Sequence, residues 1–182
     1  MSSEQYYTQL LGFLRIDWTR KHILLGLVSG ATAGAEDVGR ACCRAFASYL
    51  DDLPTVERKE LSETLSQMLL QHLDSIAVQH DRAVVPMLEF LSFMVDQRLF
   101  ATRFLLGTPS DHPDIWTIMQ KVHSLGSSFG RMEASVSLYA ALLMTTECRL
   151  RSLDKLTRQL LHRWPKVRCL SSCVIELTYC VC

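Results

Sequence analysis

The stretch Arg149–Val181, RLRSLDKLTRQLLHRWPKVRCLSSCVIELTYCV, reads as two helices joined at Trp164-Pro165. From Arg149 to Arg163, Leu150, Leu153, Leu156, Leu160 and Leu161 fall on one side, with Arg151, Asp154, Lys155, Arg158 and His162 on the other. Those spacings of three and four mark an amphipathic helix. Pro165 has a fixed φ and no N–H, so it suits the first turn of a new helix and would break a continuing one. Beyond it, Val167, Leu170, Val174, Leu177 and Val181 repeat the helical spacing, and Cys169, Cys173 and Cys180 line the adjacent stripe. A helix apolar on two flanks needs neighbours on both.

Upstream, the same periodicity recurs between glycine and proline corners, and no segment alternates with period two. Gln5–Ile16 places Tyr7, Leu10, Leu11 and Leu14 inward, and a second helix from about Trp18 carries Ile23, Leu24, Leu27 and Val28. Gly26, Gly30 and Gly34 then predict a helix end fraying into a turn. Glu36–Leu50 buries Val38, Cys42, Phe46, Tyr49 and Leu50. Asp51-Asp52-Leu53-Pro54 supplies a corner, an N-cap and an early proline for Thr55–Asp74, whose stripe is Leu61, Leu65, Met68, Leu69 and Leu73. Asp81 can cap Arg82–Gln97, which is apolar nearly all round and is expected to be the most buried helix, with Pro86 in its first turn or at a kink. Leu99–Leu106 is apolar and Gly107–Pro113 is a loop. A helix with Ile115, Met119 and Val122 inward and another marked by Met132, Val136, Tyr139 and Leu143 complete about eight to nine helices. The class is all-α. Helix, tight corner and Pro-x-Val-Arg is how the inner helix of a HEAT-type repeat looks, so residues 1–182 are expected to form a single domain of stacked helical pairs.

Composition narrows the function. Hydrophobic residues make up 48% and charged residues 21%, the balance of a packed chain rather than a disordered one. Lys plus Arg equals Asp plus Glu at 19 each, so global charge points to no nucleic-acid partner. The longest apolar runs, Ile23–Val28 and Leu138–Met144, fall far short of the roughly 20 residues a membrane helix needs. Seven cysteines, mostly on apolar helix faces, fit reduced core thiols and a cytoplasmic setting, with Cys169, Cys173 and Cys180 packing against the next repeat.

Several motifs invite chemistry. Gly126-Ser127-Ser128-Phe129-Gly130 matches the G-x-S-x-G nucleophile elbow, but that motif works on a strand-to-helix turn and the residues before it are helical in pattern. Ser128 is expected in an inter-helix turn. His112, between Asp111 and Asp114, lies in a capping loop where aspartates satisfy free helix N–H groups. The cysteines lack the paired spacing of a zinc site, and no cofactor, metal or catalytic set is assigned. The strongest functional candidate is electrostatic. Residues 149–168 hold seven cations (Arg149, Arg151, Lys155, Arg158, Arg163, Lys166, Arg168) against Asp154 alone. Arg151, Lys155, Arg158, Arg163 and Lys166 form the candidate protein-binding face, while Arg168 is expected to brace the next repeat through an acid.

Three blocks in order carry a family resemblance: Leu24-Leu25-Gly26-Leu27, Val84-Val85-Pro86-Met87-Leu88-Glu89-Phe90-Leu91, and His162-Arg163-Trp164-Pro165-Lys166-Val167-Arg168. Over roughly Ile16–Tyr179 the chain resembles the C-terminal region of the tubulin-folding cofactor D family. The resemblance implies a HEAT/armadillo-like α-α superhelix (solenoid) in the cytoplasm, associated with the cytoskeleton. It also implies a chaperone that captures β-tubulin, joins α-tubulin through the other tubulin-folding cofactors and takes part in stimulating GTP hydrolysis by tubulin. It implies no enzyme activity of its own, no nucleic acid and no membrane, and it transfers no site residues. Family members carry a long solenoid before this region and further helices after it, so the chain is expected to be a fragment, a truncated gene product or a shortened relative. Two other readings remain: a HEAT-type scaffold for another partner, and a serine hydrolase at Ser128.

Overall fold

Phe46 and Phe90, both buried, face each other with ring centroids 5.5 Å apart across two helices that are not consecutive in the chain. That contact is the key to the architecture. The computed structural model describes residues 3–31, 36–77, 81–105, 114–124 and 128–181. Among them are nine α-helices: α1 (Ser3–Leu11), α2 (Asp17–Ala31), α3 (Glu36–Asp51), α4 (Thr55–Ile76), α5 (Asp81–Asp96), α6 (Ile115–Ser124), α7 (Phe129–Leu143), α8 (Arg149–Gln159) and α9 (Pro165–Val181). No strand occurs among the described residues.

The odd-numbered helices pile in one row, with α1 on α3, α5 on α7 and α7 on α9, the step from α3 to α5 being made by Phe46 and Phe90. In the second row α4 packs on α6, and α6 and α8 share a groove. The rows meet through α3–α4, α4–α5, α7–α8 and α8–α9. Only α2 departs, lying against α3 and α5. Each helix hides its stripe against near neighbours, which is solenoid-like stacking. One apolar cluster is continuous from Leu11 to Val167.

Small residues change where burial concentrates. α7, rather than α5, carries the longest list of buried residues, from Arg131 to Leu143. Gly130, Ala134, Ser135 and Ala141 are slim enough for α5, α8 and α9 to close on it from several sides. Pro86 sits in the second turn of α5, not the first, and costs that turn one backbone bond. Gly26 and Gly30 do not mark a fraying end, because α2 continues through both to Ala31; Gly34 lies outside the described residues. A Cβ on Gly30 would meet the Tyr7 hydroxyl at 2.7 Å, and one on Gly39 would meet the Ala31 carbonyl oxygen at 2.5 Å. Tyr7 can swing aside; the α2 backbone cannot. Gly39→Ala is therefore expected to destabilise by about 1–2 kcal/mol despite alanine's better helix propensity. Gly30→Ala should be close to neutral, and chemical denaturation of both variants checks the contrast.

The α3–α4 corner also differs in detail. Pro54 occupies the N-cap position of α4 with no side-chain cap, while Asp51 ends α3 and pairs with Arg58 at 2.8 Å. The apolar tail after α5 folds onto the core as a 3-10 turn, Thr102–Phe104, burying Leu99, Phe100, Phe104 and Leu105.

Candidate protein-docking face

α8 ends at Gln159, four residues before the expected helix end at Arg163. Its buried side is Ser152, Leu156 and Gln159, so Leu150 and Leu161 are turned out to 81% and 89% exposure. Gln159 is kept inside by Ser171 of α9, whose hydroxyl donates to its Oε1 at 3.3 Å. A buried polar pair thus rotates the helix away from the face that leucine spacing alone suggests. The corner that follows is tied locally. The Trp164 N–H donates to His162 Nδ1 at 3.2 Å, and the Arg168 guanidinium donates to the carbonyls of His162 (2.8 Å) and Arg163 (3.4 Å). Arg168 therefore braces its own corner instead of an acid in the next repeat. Pro165 opens α9, as its missing N–H favours.

This geometry divides the five candidate cations. Arg151 and Lys155 line a groove of about 490 Å³ between α6 and α8, together with Trp116, Gln120, Leu150 and Asp154. Arg158 lies outside that lining and turns to Asp154 at 3.0 Å. Arg163 and Lys166 belong to the corner. The Arg163 guanidinium lies 4.6 Å over the Trp164 ring, and the Lys166 ammonium lies 4.8 Å over Phe129 and 3.2 Å from Glu133. Exposed pairs of this kind contribute little to stability and leave much of their charge facing solvent. Among the described residues Arg151 has no ion-pair partner. Trp116 and Gln120 carry no basic signal that marks them in the sequence, and the leucine spacing puts Leu150 on the core side.

Beneath the groove is a polar seam in an apolar setting. Trp116 Nε1 donates to Cys148 Sγ at 3.3 Å, and that thiol donates to the Leu105 carbonyl at 3.4 Å. Trp116 stacks on Tyr139, whose hydroxyl lies 3.3 Å from His123 Nδ1. Burial, helped by the charges of Lys155 and His162, pushes His123 down to about 4. An imidazole in the unfolded chain titrates near pH 6.5. Between about pH 6.5 and about pH 4 the unfolded state therefore holds the extra proton. The His123 contribution should be full above pH 6.5 and be lost as pH falls toward 4. Thermal melts across that range should show the decline, and His123→Phe should flatten it.

Other candidates take structural places. Ser128 is the N-cap of α7, its hydroxyl accepting the Arg131 N–H at 3.2 Å, and it lies between two helices rather than after a strand. Asp114 accepts the Thr117 N–H at 2.6 Å at the start of α6; Asp111 and His112 lie outside the described residues. Cys42 and Cys148 are buried, but Cys169 and Cys173 are exposed, correcting the expectation of core thiols at those two positions of α9; the Cys180 side chain lies outside the described residues. α9 packs against α7 and α8, and its Leu177 is exposed. Among the described residues no three or more His, Cys, Asp or Glu side chains could hold a metal ion, and no helix is long and apolar enough to cross a membrane.

No curated protein and no solved structure matches the chain. A family model described as tubulin folding cofactor D C terminal matches residues 1–125 of the 182. The blocks at Leu24 and Val84 fall inside that match, and the block at His162 lies beyond it. With an all-α two-row stack and more than half of its length matched, the chain belongs to the tubulin folding cofactor D C-terminal family.

Proposed function

We propose that the chain binds β-tubulin and takes part, with the other tubulin-folding cofactors, in assembling the tubulin heterodimer and stimulating GTP hydrolysis by tubulin. Family membership over residues 1–125 is the observation that carries this reading. In it, residues 1–182 act as one α-solenoid domain in the cytoplasm, at the microtubule cytoskeleton. The chain supplies a binding surface, and the bond chemistry belongs to tubulin's nucleotide.

The docking face assigned to tubulin is the α6–α8 groove. Leu150 offers apolar contact above the buried Trp116 ring, and Arg151 and Lys155 give the groove a cationic rim. An exposed apolar side chain beside arginine is a composition that suits a protein partner. Tubulin is an acidic partner, so the groove and the cations Arg158, Arg163 and Lys166 around the corner would speed encounter electrostatically. Immobilised chain should retain purified β-tubulin at low salt and release it as salt rises. No retention at low salt would remove the reading. Equal retention of an unrelated acidic protein would reduce the face to a nonspecific cationic surface.

A further inference from the structure

A second groove, of about 500 Å³, is walled by the first turns of α4 and the segment that follows α5. Arg58, Lys59, Arg98 and Arg103 line it around Phe100 and Ala101, against Glu63 as its acid. Arg103 pairs with Glu63 at 3.1 Å and Arg58 with Asp51 at 2.8 Å. Among the described residues, neither Lys59 nor Arg98 has an ion-pair partner, and both are exposed. The groove therefore keeps uncompensated positive charge.

Arg98 is the notable member. Its φ of 55° makes it the sole non-glycine residue with positive φ among those described. It follows the end of α5, in a left-handed position that glycine ordinarily fills at lower cost. The surroundings hold it there: the N–H groups of Leu99 and Phe100 both donate to the Met94 carbonyl, at 2.8 and 3.1 Å. α4 clamps the same segment from the other side. The Ser62 hydroxyl donates to the Leu99 carbonyl, and the Ser66 hydroxyl accepts the Ala101 N–H at 3.0 Å. Strain that is retained and supported in this way points to a use for the side chain.

From these observations we propose that the groove binds a carboxylate-rich peptide segment. The donors facing it are side-chain cations spread along two walls. The backbone N–H groups of residues 98–101 are all engaged, so the segment offers no nest of amides to converge on one phosphate. Distributed guanidinium and ammonium groups around an apolar centre suit successive Asp and Glu side chains on an extended chain instead. The site lies wholly within the family-matched residues and is independent of the α6–α8 face.

Fluorescence anisotropy of a labelled octaglutamate peptide with the full chain at low salt tests it. The wild type should bind, and Lys59→Glu and Arg98→Gly should each weaken binding about tenfold or more. Arg98→Gly should melt no lower than wild type, because glycine relaxes that backbone, and Arg151→Glu should bind as wild type does. Absence of binding by the wild type, or unchanged affinity in both groove variants, would overturn the proposal. So would loss confined to Arg151→Glu, or displacement by inorganic phosphate beyond that by chloride at equal ionic strength.

Discussion

Truncating Phe90 to alanine is expected to lower the unfolding free energy by about 4 kcal/mol. The ring is 1% exposed on α5, 5.5 Å from Phe46 of α3 and 5.8 Å from Phe93 of α5. It fills the step where the row of odd-numbered helices passes from α3 to α5. Helices on both sides of the void are pinned by other contacts, α3 by α1 and α5 by α7, so the site can collapse little. A cavity that cannot collapse adds its own cost to the lost transfer energy. Against a total of about 5–15 kcal/mol for a typical domain, the variant should have little stability left. Phe90→Leu, which keeps most of the volume, should cost about 1 kcal/mol. Urea unfolding followed by far-UV circular dichroism measures both, and a loss below about 1 kcal/mol for the alanine variant would contradict the packing.

Replacing Asp81 with alanine should cost about 3 kcal/mol, even though Asp81 is more than a third exposed. The reason lies with its partner. Arg131 is a buried cation, 4% exposed near the start of α7, and its Nε donates to Asp81 Oδ1 at 2.7 Å while Nη1 donates to the Ala77 carbonyl at 3.2 Å. One guanidinium thus ties α7 to the end of α4 and the beginning of α5. Without the carboxylate, a desolvated charge is left poorly compensated, and that penalty exceeds the worth of the intact pair. The reverse change, Arg131→Met, leaves Asp81 able to reach water and should cost no more than about 1 kcal/mol. Denaturation midpoints of the two variants should differ in that order; equal losses would mean that the buried charge is not the controlling quantity.

What could be read in advance was whatever hydrophobic spacing encodes. The stripe Leu61, Leu65, Leu69 and Leu73 is buried on α4, and Ile115, Met119 and Val122 are buried on α6. Pro165 opens its helix, and Ser128 sits in an inter-helix turn as the N-cap of α7. Periodicity identifies a helix and roughly its inner side, but not which neighbour arrives or how close it comes. Closeness in α7 depends on alanine, glycine and serine, which carry almost no hydrophobic signal. Orientation of α8 depends on the Ser171–Gln159 bond, a pairing of polar residues 12 positions apart that no stripe reveals. Leucine spacing alone therefore puts Leu150 in the core and gives no sign of the groove it borders. Cys169 and Cys173 failed for a related reason, since an apolar flank of α9 remains exposed although its pattern matches a covered one.

The two grooves have different standing in sequence. The one beside α4 lies inside residues 1–125, whereas the α6–α8 groove takes Leu150, Arg151, Asp154 and Lys155 from beyond that match. If tubulin docks there, the cationic rim lies outside the matched segment while Trp116 and Gln120 lie within it, and the charges of Arg151 and Lys155 should set much of the affinity and the salt response. The most direct measurement is equilibrium binding of labelled tubulin to the wild type and to the Arg151→Glu, Lys155→Glu double variant, with circular dichroism confirming equal helicity. Affinity should fall at least about tenfold in the double variant, with a shallower salt dependence. Equal affinity for the two proteins would contradict tubulin docking at that face.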